Sequence, residues 1–192
     1  MNNYTWFGML LGLSMFFPQW CAVMRGRPQN LASWLLWWMI AMVSAMSIRA
    51  QNGNSSLPFA YCFGDMMIVC AIIRDWKSVR WTRVETTTLI LVVGCIVAWK
   101  VSGPKAATIM ATVAHLTAGM PQLIDSYRKP WNTSALVYLG FATAGLLSML
   151  GGKDWSVEQR LYPFSTGLYC ISVSIVAARK LWVKDTQKDK RF

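Results

Sequence analysis

Two ionisable side chains lie deep inside otherwise apolar stretches: Asp65 in "LPFAYCFGDMMIVCAII" and His115, the single histidine, in "ATIMATVAHLTAGMPQ". A carboxyl at the middle of a membrane-crossing helix costs at least ~2.5 kcal/mol on insertion scales, so it faces a bundle interior or water rather than lipid. There Asp65 can serve a ligand's hydroxyls or amines, take up a proton, or sit protonated against a backbone carbonyl. An imidazole exchanges protons near neutral pH, which opens proton coupling or ligand contact to His115. A plain hydrogen-bonded packing role is the alternative for it. One histidine and one carboxylate make no metal site. No carboxylate pair, HExxH or Ser/His/Asp arrangement is present, so the chain reads as neither an enzyme nor a cofactor protein.

Two Pro-Gln pairs also interrupt apolar runs, Pro18-Gln19 in "FFPQW" and Pro121-Gln122 in "GMPQL". Each proline removes a helix hydrogen bond, near Ser14 and near Thr117, which makes it a bend or hinge as well as a static kink. The adjacent glutamine keeps polar atoms at a membrane face. Asp125, one turn beyond Pro121, stands beside Arg128 and Lys129 as an interfacial charge partner or a latch. In "SWLLWWMIAM", Trp34 and Trp38 share a helix face by spacing, and with Trp37 they form either a wall for a flat ligand or an aromatic belt near the headgroups. Gly8 and Gly12 make a GxxxG, which permits close helix packing.

The elements that position these groups are membrane spans. With 55% hydrophobic and 14% charged residues among 192, the chain is a one-domain polytopic membrane protein with little room for a soluble module. Spans are expected at about Tyr4–Met24, Leu31–Ile48, Leu57–Ile73, Thr86–Val101, Lys105–Tyr127, Ser134–Leu150 and Leu161–Leu181, with a break at "KVSGPKA". The net charge of +11 sits in short connectors and the C-terminal tail. That distribution fits membrane topology and offers no solvated basic face for nucleic acid. Arg25, Arg27, Arg74, Lys77, Arg80 and Arg83 fall on one side with Arg128, Lys129 and the tail's cations, 14 in all. Arg49, Lys100, Lys105, Lys153 and Arg160 fall on the other, 5 in all. The positive-inside rule then puts the N-terminus outside and the C-terminus in the cytoplasm, with the plasma (inner) membrane expected and an organelle membrane as the alternative. The first span lacks a signal peptide's basic n-region and reads as uncleaved. Cys21, Cys62, Cys70, Cys95 and Cys170 lie in or beside apolar runs without CxxC spacing and read as packing residues.

The chain also repeats itself. Pro18-Gln19 recurs at Pro121-Gln122, an offset of 103; "RPQN" from Arg27 recurs as "KPWN" from Lys129, an offset of 102. "LPFAYCFG" from Leu57 recurs as "YPFSTGLY" from Tyr162, and Arg74 as Arg179, both at an offset of 105. The repeated unit is three spans, with the fourth left over. An odd unit fused directly to its copy would enter the membrane inverted; one extra crossing makes the two copies parallel. The expected division is residues 1–81 as one three-helix repeat, 82–103 as a linker helix, 104–182 as the second repeat, and 183–192 as a basic tail.

This 3+1+3 order, with a Pro-Gln pair closing the first helix of each repeat before a basic loop, resembles the SWEET and PQ-loop superfamily of seven-helix transporters. The resemblance implies two parallel three-helix bundles that rock about a midplane site, with Pro18 and Pro121 letting their helices swing at the inner gate. It implies a small polar solute, sugar-like by family weight, with an amino acid or a vitamin precursor as alternatives. A non-transporting cargo receptor or scaffold is a further alternative, as in the similar KDEL receptors. SWEETs place a polar residue, typically asparagine, in the third helix of each repeat. The matching positions here are Ala60 or Tyr61 and Ser165 or Thr166. None is asparagine, but Tyr61, Ser165 and Thr166 offer hydroxyls to a polar solute. The partners implied are the lipid bilayer and the solute; one chain completes a pathway, so a homo-oligomer is optional.

Overall fold

In a computed structural model of the chain, residues 2–26, 30–73, 81–130 and 133–188 are described, side chains as far as residue 179. Arg27, Arg74, Lys77, Arg80, Asn132 and the end of the basic tail, which entered the charge count and the repeat, lie outside the described residues. The described residues form helices α1 (Asn3–Ser14), α2 (Phe16–Met24), α3 (Leu31–Ala50), α4 (Ser56–Ile72), α5 (Arg83–Ser102), α6 (Pro104–Arg128), α7 (Ala135–Leu150) and α8 (Val157–Lys188). Met15 keeps right-handed helical angles, so α1 and α2 make one rod interrupted there, and the described residues form seven helices when the two are counted as one.

Local chemistry sets the helix ends. Asn2, Asn30 and Ser134 accept from the first-turn amides of Thr5, Ala32 and Val137. Thr82 and Glu85 form a reciprocal capping box at the start of α5. Gly103 has φ +87, a backbone that side chains rarely adopt, and Pro104 follows at the first turn of α6. The break expected at "KVSGPKA" is therefore a glycine turn. The two internal prolines of the Pro-Gln pairs differ. The interruption at Met15 lies one turn before Pro18, whereas α6 runs unbroken through Pro121.

Among the described residues, four helices are long and apolar enough to cross a membrane: Asn3–Met24, Leu31–Ala50, Arg83–Ser102 and Val157–Arg179. Seven spans were expected, and the other three differ for identifiable reasons. Helices α4 and α7 are apolar but have 17 and 16 residues, about a turn short of a 30 Å crossing at 1.5 Å per residue. Helix α6 has 25 residues but buries Thr108, Thr112, His115 and Ser126 on its inner side. Its polarity faces protein, so hydropathy alone understates it.

Helix α4 packs between the α1–α2 rod and α3, and α8 between α6 and α7. Helix α1 meets α7, α3 meets α6, and α5 lies against α3 and α6. Glycines set the closest approaches. A Cβ on Gly8 would stand 2.8 Å from the Ala144 carbonyl and 2.9 Å from the Ser148 amide nitrogen of α7. A Cβ on Gly145 would stand 2.8 Å from the Pro163 carbonyl of α8. Elsewhere large and small side chains interlock: the Phe16 ring occupies the space a Cβ on Gly64 would need, and Tyr169 does the same at Gly119.

Replacing Gly8 by alanine pushes backbone against backbone, and we expect a net loss of about 1–2 kcal/mol, read as a lower thermal midpoint in detergent. At Gly94 the added methyl meets only the mobile end of Met110, so Gly94→Ala should leave that midpoint unchanged or slightly raised.

Candidate functional site

A cavity of about 1130 Å³ opens among the helices. Its floor holds Tyr61 and Asp65 of α4, His115 of α6, Phe141 of α7, and Tyr169 and Cys170 of α8. Trp34, Trp37, Tyr138, Pro121 and Gln122 line its walls. At its mouth stand Gly26, Asn30, Glu85, Asp125, Lys129 and Thr133. All mouth positions belong to the end where the chain passes between α2 and α3, α4 and α5, and α6 and α7.

The floor combines buried polar groups with aromatic rings. Asp65 is 3% exposed and makes no hydrogen bond or ion pair with any described residue. Tyr61 is 5% exposed, and its hydroxyl has no hydrogen-bond partner among the described residues. His115 lies edge-on to Trp37 at 4.8 Å between ring centroids, with Tyr162 at 5.3 Å and Tyr169 at 6.2 Å. The Tyr169 hydroxyl donates to the Gly119 carbonyl at 2.9 Å, which satisfies it and ties α8 to α6. Asp65 and His115 both line the cavity, with no hydrogen bond or ion pair between them.

Of the residues singled out in the sequence, Asp65, Tyr61, His115, Trp34, Gln19, Pro121 and Gln122 thus line one cavity. Trp38 lies outside it, in an apolar groove of about 620 Å³ with Trp20, Met42, Phe63 and Met66. Ser165 is outside the lining, its hydroxyl donating to the Leu161 and Tyr162 carbonyls; Thr166 is fully buried, also outside it. Pro18 is exposed and outside the lining, although its neighbour Gln19 belongs to it. Gln122 is held in a polar knot: its amide donates to Ser126 at 3.1 Å and to Thr133 at 3.2 Å.

Trp37, named in the sequence with Trp34 and Trp38, also lines the cavity; the sequence reading passed over Tyr138, Phe141, Tyr169 and Glu85 and took Cys170 for a packing residue. The repeat contained a signal for most of them. Cys170 follows Asp65 by 105 residues, and Tyr138 and Phe141 follow Trp34 and Trp37 by 104. Glu85 had no such signal. Its carboxylate caps α5 through the Thr82 amide at 2.8 Å and accepts from Asn30 at 3.0 Å and Ser33 at 2.7 Å, binding α5 to α3 beside the mouth.

The opposite end is closed by polar contacts between helices. Asn54 donates from its side chain to the Ser148 carbonyl at 2.9 Å and from its backbone to the Glu158 carbonyl at 3.1 Å. The Asn2 side chain donates to the Gly151 carbonyl at 3.1 Å. Between α3 and α6, the hydroxyls of Ser47 and Thr108 meet at 3.0 Å, and the Gln51 amide donates to Thr108 at 2.9 Å. In the adjoining loop, the Ser156 hydroxyl and amide bond to Asp154 and hold its carboxyl below the usual range, with Arg160 and Lys153 adding to the effect.

Among the described residues, no three of His, Cys, Asp and Glu come together in a way that could hold a metal ion. In comparisons with known proteins, the chain matches no family model, no curated sequence and no solved structure.

The direction in which the cavity opens is testable through Cys170. With the other cysteines replaced by alanine, a charged, membrane-impermeant thiol reagent should label Cys170 several-fold faster from the Gly26–Lys129 face than from the Asn54 face. A Cys95-only protein should stay unlabelled from both, because Cys95 is buried outside the cavity.

Proposed function

We propose that this chain is a membrane transporter that moves a small polar solute by alternating access. The observation that carries the reading is a cavity that runs from the Gly26–Lys129 end to Asp65 halfway along α4, where Asp65 has no partner among the described residues, with hydrogen bonds joining the helices at the opposite end. A site at mid-membrane reached from one side at a time is what alternating access requires.

The proposed machinery is two parallel three-helix repeats, α1–α2 with α3 and α4, and α6 with α7 and α8, joined by α5. Several features support it. The third helix of each unit packs between the other two, and the cross-unit pairs α1 with α7 and α3 with α6 exchange under a two-fold axis. The interlock of Phe16 with Gly64 answers that of Gly119 with Tyr169, with the large and small partners exchanged. In this reading all seven helices cross the membrane, the N-terminus is outside, and the cavity mouth lies at the end whose connectors carry most of the basic residues, facing the cytoplasm. Pro121, which leaves the Thr117 carbonyl without a helix donor and lines the cavity, is the proposed inner hinge, with Pro18 as its counterpart. Sugar-like compounds, amino acids and vitamin precursors are the solute classes to be separated.

The test is solute movement in proteoliposomes across a panel drawn from those classes. We expect time-dependent, saturable flux of at least one class, slowed several-fold by Pro121→Ala and by Pro18→Ala. Flux should be lost in Asp65→Asn while folding is retained. A folded, correctly inserted protein that moves nothing in the panel, or hinge variants at full rate, would refute the reading.

A further inference from the structure

Resting on that transport reading, we infer that the solute carries an organic cation, an amine or quaternary ammonium attached to a compact apolar body, and that Asp65 is its counter-ion. The chain as a whole bears +11, yet the described residues lining the cavity include three carboxylates, Asp65, Glu85 and Asp125, against the single lysine Lys129. Glu85 is already engaged by Thr82, Asn30 and Ser33, and Asp125 is exposed at the mouth. Asp65 remains, buried and without a partner among the described residues, in the lining of the cavity.

The surroundings of Asp65 select among ligands. Trp34, Trp37, Tyr61, Tyr138, Phe141 and Tyr169 line the same space. Aromatic faces attract cations, most strongly where water is excluded. A carboxylate among such rings suits an ammonium group in both charge and shape. A sugar suits it poorly. Each buried hydroxyl of a sugar needs a partner or costs about 1–3 kcal/mol. Tyr169 has spent its hydroxyl on Gly119, leaving chiefly Asp65, Tyr61 and His115 at the floor. The orphaned Tyr61 hydroxyl, beside Asp65, provides the second polar contact, accepting from an ammonium N–H or from a hydroxyl near it.

The experiment is thermal-shift and calorimetric titration of the full-length detergent-solubilised protein with matched pairs. Choline is paired with its uncharged isostere 3,3-dimethyl-1-butanol, and phenethylamine with 2-phenylethanol; glucose and myo-inositol stand for polyols. We expect an amine to bind at least about tenfold more tightly than its neutral isostere, because a charged hydrogen-bond partner is worth more than one such factor. Asp65→Asn should abolish that preference, and Tyr61→Phe should weaken amine binding with Asp65 intact. Both variants must keep the wild-type elution and an unliganded thermal midpoint; Tyr61→Phe supplies the reading if Asp65→Asn fails to fold.

Equal binding of amine and isostere, or amine selectivity that survives Asp65→Asn, overturns the inference. Polyol binding and flux without any amine response also overturns it but leaves the transport reading standing. So does Asp65-dependent proton uptake, followed by a pH dye in proteoliposomes, driven by a neutral solute. No flux of any class refutes the transport reading instead. Amine binding that depends on Asp65 would still support the site in that case.

Discussion

At the end away from the cavity mouth, polar side chains join the helices across the interior. Asn54 reaches Ser148 and Glu158, Asn2 reaches Gly151, and Ser47 and Gln51 meet Thr108, all at one end of the helix set. Lipid tails are as apolar as leucine, so helix pairs in a bilayer gain little from the hydrophobic effect and depend on close packing and hydrogen bonds. Gly8 against α7 provides the close packing at this same end. The other half of the bundle holds the cavity, and there the helices are joined by Asn30 and Ser33 to Glu85, Tyr169 to Gly119 and Ser174 to Ala135. The clamp away from the mouth is reversible in principle, being built of neutral hydrogen bonds, each worth only about 0.5–1.5 kcal/mol net.

Inside that cavity the polar residues are few and unevenly committed. Gln122, Ser126 and Thr133 satisfy one another near the mouth, and Glu85 joins α5 to α3 through Asn30 and Ser33. Deeper down the lining turns aromatic, and Asp65 stands without a partner among the described residues. A buried carboxyl left that way is costly in a bilayer interior, which gives it weight as a functional group. His115, by contrast, is wedged between the rings of Trp37 and Tyr162, a setting that fits a shape-defining role beside the proposed site as readily as a proton-handling one.

What the sequence determined by itself is what local rules govern. Apolar run length and the Gly103–Pro104 turn set the helices, because backbone groups in hydrocarbon must be satisfied within each segment. The depth of Asp65 and His115 followed directly from those runs. The aromatic wall did not. Spacing along α3 places Trp34 with Trp38 on one face, yet α4 and α2 take Trp38 into a separate groove while Trp34 and Trp37 turn to the cavity. At an i,i+3,i+4 spacing one helix face is too broad to say which of its neighbours a ring will meet. Ser165 and Thr166 likewise have the right chemistry and lie outside the cavity lining, since a hydroxyl in a helix readily turns to its own backbone, as Ser165 does. Only the tertiary packing decided which polar groups were used up and which, like Asp65, were left for something else to fill.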